Sequence, residues 1–336
     1  MAPLTASSRM MISRSERCAQ SFRIDHLVGG QTLRNIPYME MRCCFLSLIC
    51  IKEKEAFRMS VTVTLGGNVD EISPAIETAI ALTKRLKTSL TGLCAMPDPA
   101  NAAIYITGAE TVIVGATAIA SLTEAQDNLV KAFEQVFSKQ TGAAGAWLNA
   151  NFENVTGSVA AHGAARAALA DAFVVSKQAT QSNHPLNPIF EHVLMDAGLP
   201  LILAPNQART SDTCMIAWDG SPLAARTVKL YLPLIATYKK VVIAEHADKV
   251  RHQWAHVCHD SRARLIEILH EQRLDVVEAE LSGTVSGALL DAAETHDASL
   301  LVMGAYGHNR LGQMLFGGTT SKLLHSDDAP ALALCH

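Results

Sequence analysis

Apolar and polar positions in the C-terminal part of the chain follow two alternating periods. Short apolar runs at 213–218 (TCMIAW), 241–245 (VVIAE) and 299–303 (SLLVM) are separated by longer stretches that mix apolar and charged residues. Short runs of this kind indicate buried strands, and the longer stretches fit the helical period. Strands that alternate with helices favour right-handed crossovers and a mainly parallel sheet.

The pattern predicts five strands and four helices in this part of the chain. The strands are expected at 213–218, 241–245, 275–281, 299–303 and 331–334, and the helices at 222–238, 251–272, 285–296 and after the glycine-rich loop that follows 303. Ser221 is a suitable N-cap for the first of these helices, and Pro222 then takes the first helical position.

A second region, nearer the N-terminus, repeats this order. Its strands are expected at 61–65, 89–95, 146–152, 171–176 and 199–203, and its helices at 73–86, 122–140 and 159–170. Pro200 and Pro330, before the two last strands, are 130 residues apart, and the fourth strands have a similar offset. A tandem repeat of two α/β units follows.

We therefore predict two repeated doubly wound domains at 59–206 and 213–336, each with a five-stranded parallel sheet of order 3-2-1-4-5. A polar segment, NQARTSD at 206–212, joins them. The last strand of each domain is an edge, which favours pairing between the domains or with a second chain. We expect a pseudo-dimer within the chain and, through further pairing, a homodimer.

Composition and charge narrow the functional class. The 336 residues are 49% hydrophobic and 18% charged, which is typical of a globular protein. The formal net charge is -4, although residues 1–58 hold nine Lys/Arg against five Asp/Glu. The remainder is acidic and argues against a nucleic-acid partner, because phosphate backbones attract Lys and Arg. We expect no membrane partner either, since no apolar run reaches the ~18 residues that span a bilayer.

Residues 1–58 are treated as a non-core N-terminal extension. The first 17 residues are rich in Ser and Arg and poor in acids, as in a transit peptide. The alternative, which we favour, is a mis-assigned start, because Met59 directly precedes the first clear strand. The eight cysteines form no CxxC pair, which favours reduced thiols and a cytoplasmic location.

A glycine-rich loop carries the main chemical signal. Gly304 and Gly307 follow a buried strand, and Gly317 and Gly318 come before Thr319-Thr320 and a helix. Glycines let backbone N–H groups approach phosphate oxygens without a Cβ in the way. The N-terminus of the following helix also attracts anions. The loop therefore predicts a phosphate site, and the alternative is an ordinary strand-to-helix loop with capping threonines.

Asp219 ends the first strand of the same unit. In a sheet of order 3-2-1-4-5 the first and fourth strands are neighbours at the switch point, where ligands bind beyond the carboxyl ends. Asp219 and Gly304 should therefore face one crevice, with the carboxylate available to a ribose or base. The alternative is a turn-forming Asp-Gly pair.

The combination of Asp219 with Gly304-x2-Gly307-x9-Gly317 resembles the nucleotide-binding pattern of universal stress proteins. The resemblance covers 213–336 well and 60–205 only in its strand pattern. It implies an adenine-nucleotide alpha-hydrolase-like fold and a cytoplasmic stress-response regulator that binds ATP, alone or with Mg²⁺.

The resemblance also implies a set of contacts. Ala217 and Ala247 would contact adenine through their backbones. The phosphates would be surrounded by six residues: Gly304, Gly307, Gly317, Gly318, Thr319 and Thr320. The family usually has Ser or Thr where this chain has Gly318, so one hydroxyl is lost there.

The N-terminal unit departs from the nucleotide-binding pattern. Gly66 stands where the other unit has Asp219, and KQAT at 177–180 replaces the glycine loop. We expect no ATP in this unit. It would serve as a partner for the C-terminal unit or hold a different ligand.

Other functional classes fit less well. The chain has neither GxxxxGK[ST] nor GxGxxG after a first strand, which argues against a P-loop ATPase and a dinucleotide dehydrogenase. No nucleophile with a paired base is evident, so we expect a binding protein and leave slow ATP hydrolysis or self-phosphorylation as the alternative. A third hypothesis is metal binding by His252, His256 and His259, whose spacing places them on one helix face.

Overall fold

The computed structural model describes residues 60–100, 116–246, 255–305 and 318–336. They form an α/β fold in which one ten-stranded sheet carries a buried cluster on each face. The proposed N-terminal extension at 1–58 lies outside the described residues. Within them, no helix is both long and apolar enough to cross a bilayer.

The strands occupy ten short segments. They are β1 (Val61–Thr64), β2 (Leu90–Met96), β3 (Ala150–Thr156), β4 (Ala172–Ser176), β5 (Leu201–Ala204), β6 (Thr213–Trp218), β7 (Lys240–His246), β8 (Asp275–Leu281), β9 (Ala298–Gly304) and β10 (Ala331–Cys335). β1, β4, β5 and β10 are buried along their whole length. The apolar runs of β4, β5 and β10 are typical of strands that are covered on both faces. In β1 the buried threonines Thr62 and Thr64 alternate with valines.

Eight α-helices connect these strands in the described residues. They are α1 (Val69–Leu86), α2 (Ala116–Ala144), α3 (Val159–Ala167), α4 (Asn187–Glu191), α5 (Pro222–Ile235), α6 (Ala255–Glu271), α7 (Val285–Thr295) and α8 (Gly318–His325). A 3₁₀ turn (Lys177–Thr180) follows β4, and a π-helical turn (His192–Asp196) follows α4.

The sheet is parallel at every junction but one. Its order is β3-β2-β1-β4-β5-β10-β9-β6-β7-β8, and only β5 and β10 pair antiparallel. Each half of the sheet has the strand order 3-2-1-4-5. We expected a five-stranded sheet in each unit, with last strands that could pair between the units or with a second chain. The structure has one continuous ten-stranded sheet, because β5 and β10 pair with each other. β5 and β10, the last strands of the two units, would be exposed edges only if the units were separate. Here each strand forms backbone hydrogen bonds with the other.

The elements α1, α2 and β3 begin four or more residues from their predicted starts. α2 was expected at 122–140 and is longer, at Ala116–Ala144. α1 begins at Val69, four residues before the predicted start at 73, because the Glu71 carboxylate accepts hydrogen bonds from the backbone N and Nδ2 of Asn68. The local cap thus carries the helix past Pro74. β3 was expected at 146–152 and lies at Ala150–Thr156, since Gly145 turns with a φ of 101° and Leu90 pairs with Ala150.

Tyr231 of α5 lies directly over the antiparallel junction. Its hydroxyl is 2.9 Å from the carbonyl oxygen of Leu201 in β5 and 3.0 Å from that of Leu334 in β10. Burial raises the pKa of this phenol well above its ordinary value. The neutral hydroxyl therefore donates its proton to carbonyls of both halves.

We expect Tyr231→Phe to lower the free energy of unfolding by about 1–3 kcal/mol, because buried acceptors lose their donor. Urea denaturation measures the change. Thr227→Val is the control: its hydroxyl bonds the Leu223 carbonyl of the same helix, and that oxygen also accepts a helical N–H. An equal loss in both variants would contradict a special role for the junction.

Candidate functional site

The order in which strands are added to the sheet reverses between β6 and β9, which is the topological switch point of this half. From β6 the order runs to β7 and β8 on one side, and β9 and β10 lie on the other. β6 and β9 are parallel, with Ile216 opposite Val302. Their carboxyl ends therefore meet at one edge, and a crevice outside such a switch point is where ligands bind in doubly wound sheets.

Asp219 follows β6 at this edge. Its Oδ1 accepts a hydrogen bond of 3.0 Å from the backbone N of Ser221, and Gly220 between them has a φ of 68°. This is the turn that the Asp-Gly alternative anticipated. Oδ1 is the atom used, so Oδ2 remains available at the edge. Ala217, two residues earlier, is half-buried and pairs with Ala244 of β7.

α5 begins at once after this turn. Ser221 is the N-cap, and its hydroxyl accepts a hydrogen bond of 3.1 Å from the backbone N of Ala224. Pro222 takes the first helical position, where a missing N–H costs nothing. The cap fixes the entry of α5 and with it the direction of the loop that carries Asp219.

Gly304 ends β9 beside this loop. A Cβ at Gly304 would lie 2.7 Å from Cγ of Leu223. Packing is therefore a reason for glycine at this position that the sequence did not indicate. Without a Cβ, Gly304 lets the first turn of α5 pack closely against the end of β9. The backbone N of Ala305 then donates to the Cys335 carbonyl, which holds the chain at the edge for one more residue.

Gly318, Thr319 and Thr320 are the first three residues of α8. Because β9 and β10 are parallel, α8 must carry the chain back from the carboxyl edge, which places its N-terminus on the side of Asp219. Gly318 is exposed with open space around it, and Thr320 is buried. The first N–H groups of a helix lack helical partners and attract anions.

Three predicted contact residues, Ala247, Gly307 and Gly317, lie outside the described residues. The same holds for His252 of the proposed metal site. The backbones of His256 and His259 belong to α6, but their side chains are outside the description. In the parts of the chain that the structure describes, no group of three metal-binding side chains occurs. The metal hypothesis stays a prediction.

His246 is a residue of this edge that the sequence analysis missed. It ends β7, is buried, and its Nε2 donates a hydrogen bond of 2.9 Å to the Gly283 carbonyl. A carbonyl only accepts, so Nε2 carries the proton and Nδ1 is an acceptor. Among the described residues Nδ1 has no partner. A polar residue at the end of the apolar run VVIAE was the available signal.

The corresponding edge of the N-terminal half is filled. A Cβ on Gly66 would lie 2.7 Å from Leu186, and one on Gly67 would lie 2.4 Å from Nε2 of His184. His184 accepts the backbone N–H of Leu186 at Nδ1 and lies 3.3 Å from the Glu71 carboxylate at Nε2. These side chains come from the segment after β4, where the C-terminal half has its glycine loop.

Comparison with known proteins was made at the level of family, sequence and structure. Residues 211–334 match the model of the universal stress protein family. The comparison with curated proteins found no match.

Three solved structures of universal stress proteins are similar to this chain to different extents. One from Archaeoglobus fulgidus has a TM-score of 0.59 at 16% identity, covering 83% of this chain and 97% of its own. A putative one from Pseudomonas aeruginosa has a TM-score of 0.45 at 13% identity, covering 82% and 92%. A universal stress protein in complex with cAMP has a TM-score of 0.29 at 21% identity, covering 37% and 95%. The first of these shows a shared fold.

Proposed function

We propose that this chain, whose residues 211–334 form a universal stress protein domain, binds ATP at the edge between β6 and β9 and acts as a nucleotide-dependent regulator. The observation that carries the proposal is the meeting of Asp219 and the end of β9 at the switch point. A doubly wound sheet offers its ligand site there.

The groups around this edge suit the parts of a nucleotide. The carboxylate of Asp219 can accept a hydrogen bond from a ribose hydroxyl. Nδ1 of His246 is a buried acceptor that has no partner among the described residues. His246 directly precedes the predicted adenine contact Ala247 in sequence, and its Nδ1 can accept a hydrogen bond from the adenine amino group. The first turn of α8 supplies N–H groups and the Thr319 hydroxyl for phosphate oxygens.

Nucleotide binding is assigned to the C-terminal half alone. In the N-terminal half, Leu186 and His184 stand within contact distance of Gly66 and Gly67, which leaves no room for a ribose beside that strand. The carboxylate nearest to that edge, Glu71, is already bonded to Asn68 and His184. The two halves thus differ in the groups they present at equivalent positions.

Isothermal titration with ATP tests the proposal. We expect wild-type protein to bind and Asp219→Ala to bind about tenfold to a hundredfold more weakly, the effect of losing a hydrogen bond to a charged group. Asp219→Asn keeps an oxygen for the Ser221 turn but loses the charge, so it should also weaken binding. The exposed Asp291→Ala is the control.

Unchanged affinity in both Asp219 variants would overturn the proposed site. Normal affinity in Asp219→Asn with a loss only in Asp219→Ala would mean that Asp219 acts by holding the turn with Ser221 and not by contacting the nucleotide. Titrations with ADP, AMP and cAMP, with and without Mg²⁺, identify the preferred ligand, and phosphate release followed in the same samples distinguishes binding from turnover. Native mass spectrometry of freshly purified protein reports the mass of bound nucleotide and the number of chains.

A further inference from the structure

A second cavity lies away from the proposed nucleotide edge, between the two halves of the chain. Its volume is about 360 Å³, and it is bounded by the C-terminal part of α1, the connecting segment 205–212 and the starts of β9 and β10. We call it the inter-half cavity. Its size falls in the range of small-molecule sites, about 300–1,000 Å³.

The charged residues that line the inter-half cavity are mainly cationic. Lys84, Arg85 and Arg209 contribute three positive charges, and Asp212 contributes one negative charge. The Asp212 carboxylate is already paired with Nη2 of Arg85 at 3.1 Å and with Nζ of Lys239 at 2.5 Å. These partners lower the pKa of Asp212, so its carboxylate remains ionised. Its negative charge is balanced by Arg85 and Lys239 and does not oppose an anionic ligand.

Arg85 is held in place as part of this wall. Its guanidinium lies 4.1 Å from the centre of the Tyr238 ring and donates to the carbonyls of Ser211 and Thr237. Stacking on an aromatic ring and several hydrogen bonds fix a guanidinium in one orientation. The arginine therefore joins the two halves rigidly and leaves its neighbours to meet a ligand.

Lys84 and Arg209 supply charge that the wall does not use. Lys84 is exposed, and the described residues offer its amine no hydrogen bond or ion pair. Arg209 donates one N–H to the Asp328 carbonyl at 2.8 Å, and a guanidinium has five donors. One cation comes from the N-terminal half and the other from the connecting segment.

The rest of the lining is mixed. Ala81 and Leu82 of α1, Leu300 of β9 and Ala331 of β10 are apolar, and three hydroxyl side chains lie among them: Thr78, Thr210 and Ser299. A site that combines apolar walls with a few cationic groups suits a ligand that has an apolar body and one anionic group, because each part finds its own environment. A fully hydrated ion such as free phosphate would leave the apolar walls unused.

We propose that the inter-half cavity binds a small organic anion: a compound with an apolar body and one carboxylate or phosphate group. Such a ligand contacts α1 on one side and β9 and β10 on the other, so it links the two halves. The site is independent of the nucleotide edge and of the function proposed there.

Phenyl phosphate is the probe, because it joins a ring to one dianionic group. Isothermal titration of the full chain should show saturable binding of phenyl phosphate, weaker binding of inorganic phosphate and no binding of benzyl alcohol. The midpoint of thermal unfolding should rise with phenyl phosphate, since the ligand binds the folded state.

Two variants locate the binding. Ala81→Leu fills the cavity without changing charge and should abolish binding. Lys84→Gln should weaken it about tenfold, the effect of one charge-assisted hydrogen bond. Lys131→Gln, an exposed lysine of α2, is the matched control and should bind normally. Unfolding midpoints without ligand establish that all three variants are folded.

The titration is repeated with ATP in excess. Binding that persists with ATP and disappears in Ala81→Leu supports the inter-half cavity. Displacement by ATP, full binding by Ala81→Leu, or inorganic phosphate binding as tightly as phenyl phosphate overturns it. Absence of saturable binding in the wild type also overturns it, whether or not ATP itself binds.

Discussion

Replacing Ala333 with proline is expected to lower the free energy of unfolding by about 3 kcal/mol or more, which is the largest effect on stability that we predict for one substitution. Ala333 is fully buried in β10, opposite Ile202 of β5 and Val302 of β9. A proline there removes the ladder hydrogen bond to β9, because the backbone of Ala333 faces the same side as that of Cys335, whose carbonyl accepts from Ala305. It also places its ring against a neighbouring strand at the centre of the sheet.

Ala150→Pro is the matched control for this change. Ala150 is the first residue of β3, an outer strand of the sheet that pairs only with β2. Proline is tolerated at the start of an edge strand, so the loss should be much smaller. Urea denaturation followed by circular dichroism compares the two variants. Similar losses in both would show that the centre of the sheet is no more important to folding than its edge.

The sequence predicted most strands closely. The runs at 171–176, 213–218 and 299–303 fall on β4, β6 and β9 almost residue for residue, because a central parallel strand is largely apolar on both faces. The half-exposed edge strand β8 was also placed correctly, at 275–281. β3 was misplaced by four residues at its start, since its register is set by pairing with Leu90 rather than by its own pattern.

The joining of ten strands into one sheet was not evident from either repeat alone. Each unit was expected to leave its last strand as an edge that could pair with the other unit or with a second chain, and an edge has several means of protection. Which partner it takes depends on contacts made far apart in the chain. Tyr231, whose hydroxyl reaches carbonyls of both β5 and β10, gives no local signal of that role.

The candidate site was predictable in its location and less so in its chemistry. Topology alone brings Asp219 and Gly304 to one edge, and the strand order was inferred from alternation of elements. The packing of Leu223 on Gly304 and the unpartnered Nδ1 of His246 depend on side-chain positions. A loop position can require glycine because a ligand approaches the backbone or because another residue packs there. The sequence alone does not distinguish these two causes.

A set of polar contacts connects the helix of the proposed phosphate site to the other half. Just beyond the C-terminal end of α8, Asp327 accepts hydrogen bonds from Asn206 at 2.7 Å and from Lys177 at 3.3 Å. Lys177 begins the turn that follows β4, and its amine also bonds the Ser326 carbonyl. The same helix thus offers its N-terminus to the crevice and its C-terminus to the N-terminal half.

Gly304→Val should combine a loss of stability with a loss of nucleotide binding. Its Cβ would lie 2.7 Å from Cγ and 3.0 Å from Cδ2 of Leu223, and both atoms belong to a packed helix start. Overpacking of this kind costs about 1–3 kcal/mol of unfolding free energy. The first turn of α5 must shift, and Asp219 lies only four residues before Leu223. ATP affinity should therefore fall even under conditions in which the variant is fully folded.

Gly318→Ala is the matched glycine control, because a Cβ at Gly318 meets no atom of the described residues within 4 Å. Its stability should stay within about 0.5 kcal/mol of wild type. Adding Leu223→Ala to Gly304→Val removes the clashing side chain. The double variant should lose less stability than the sum of the two single variants, with a coupling of about 1 kcal/mol or more between these contacting residues. If the two changes in the free energy of unfolding were strictly additive, the clash with Leu223 would be relieved elsewhere. The role of Gly304 would then be to let a ligand approach and not to accommodate Leu223.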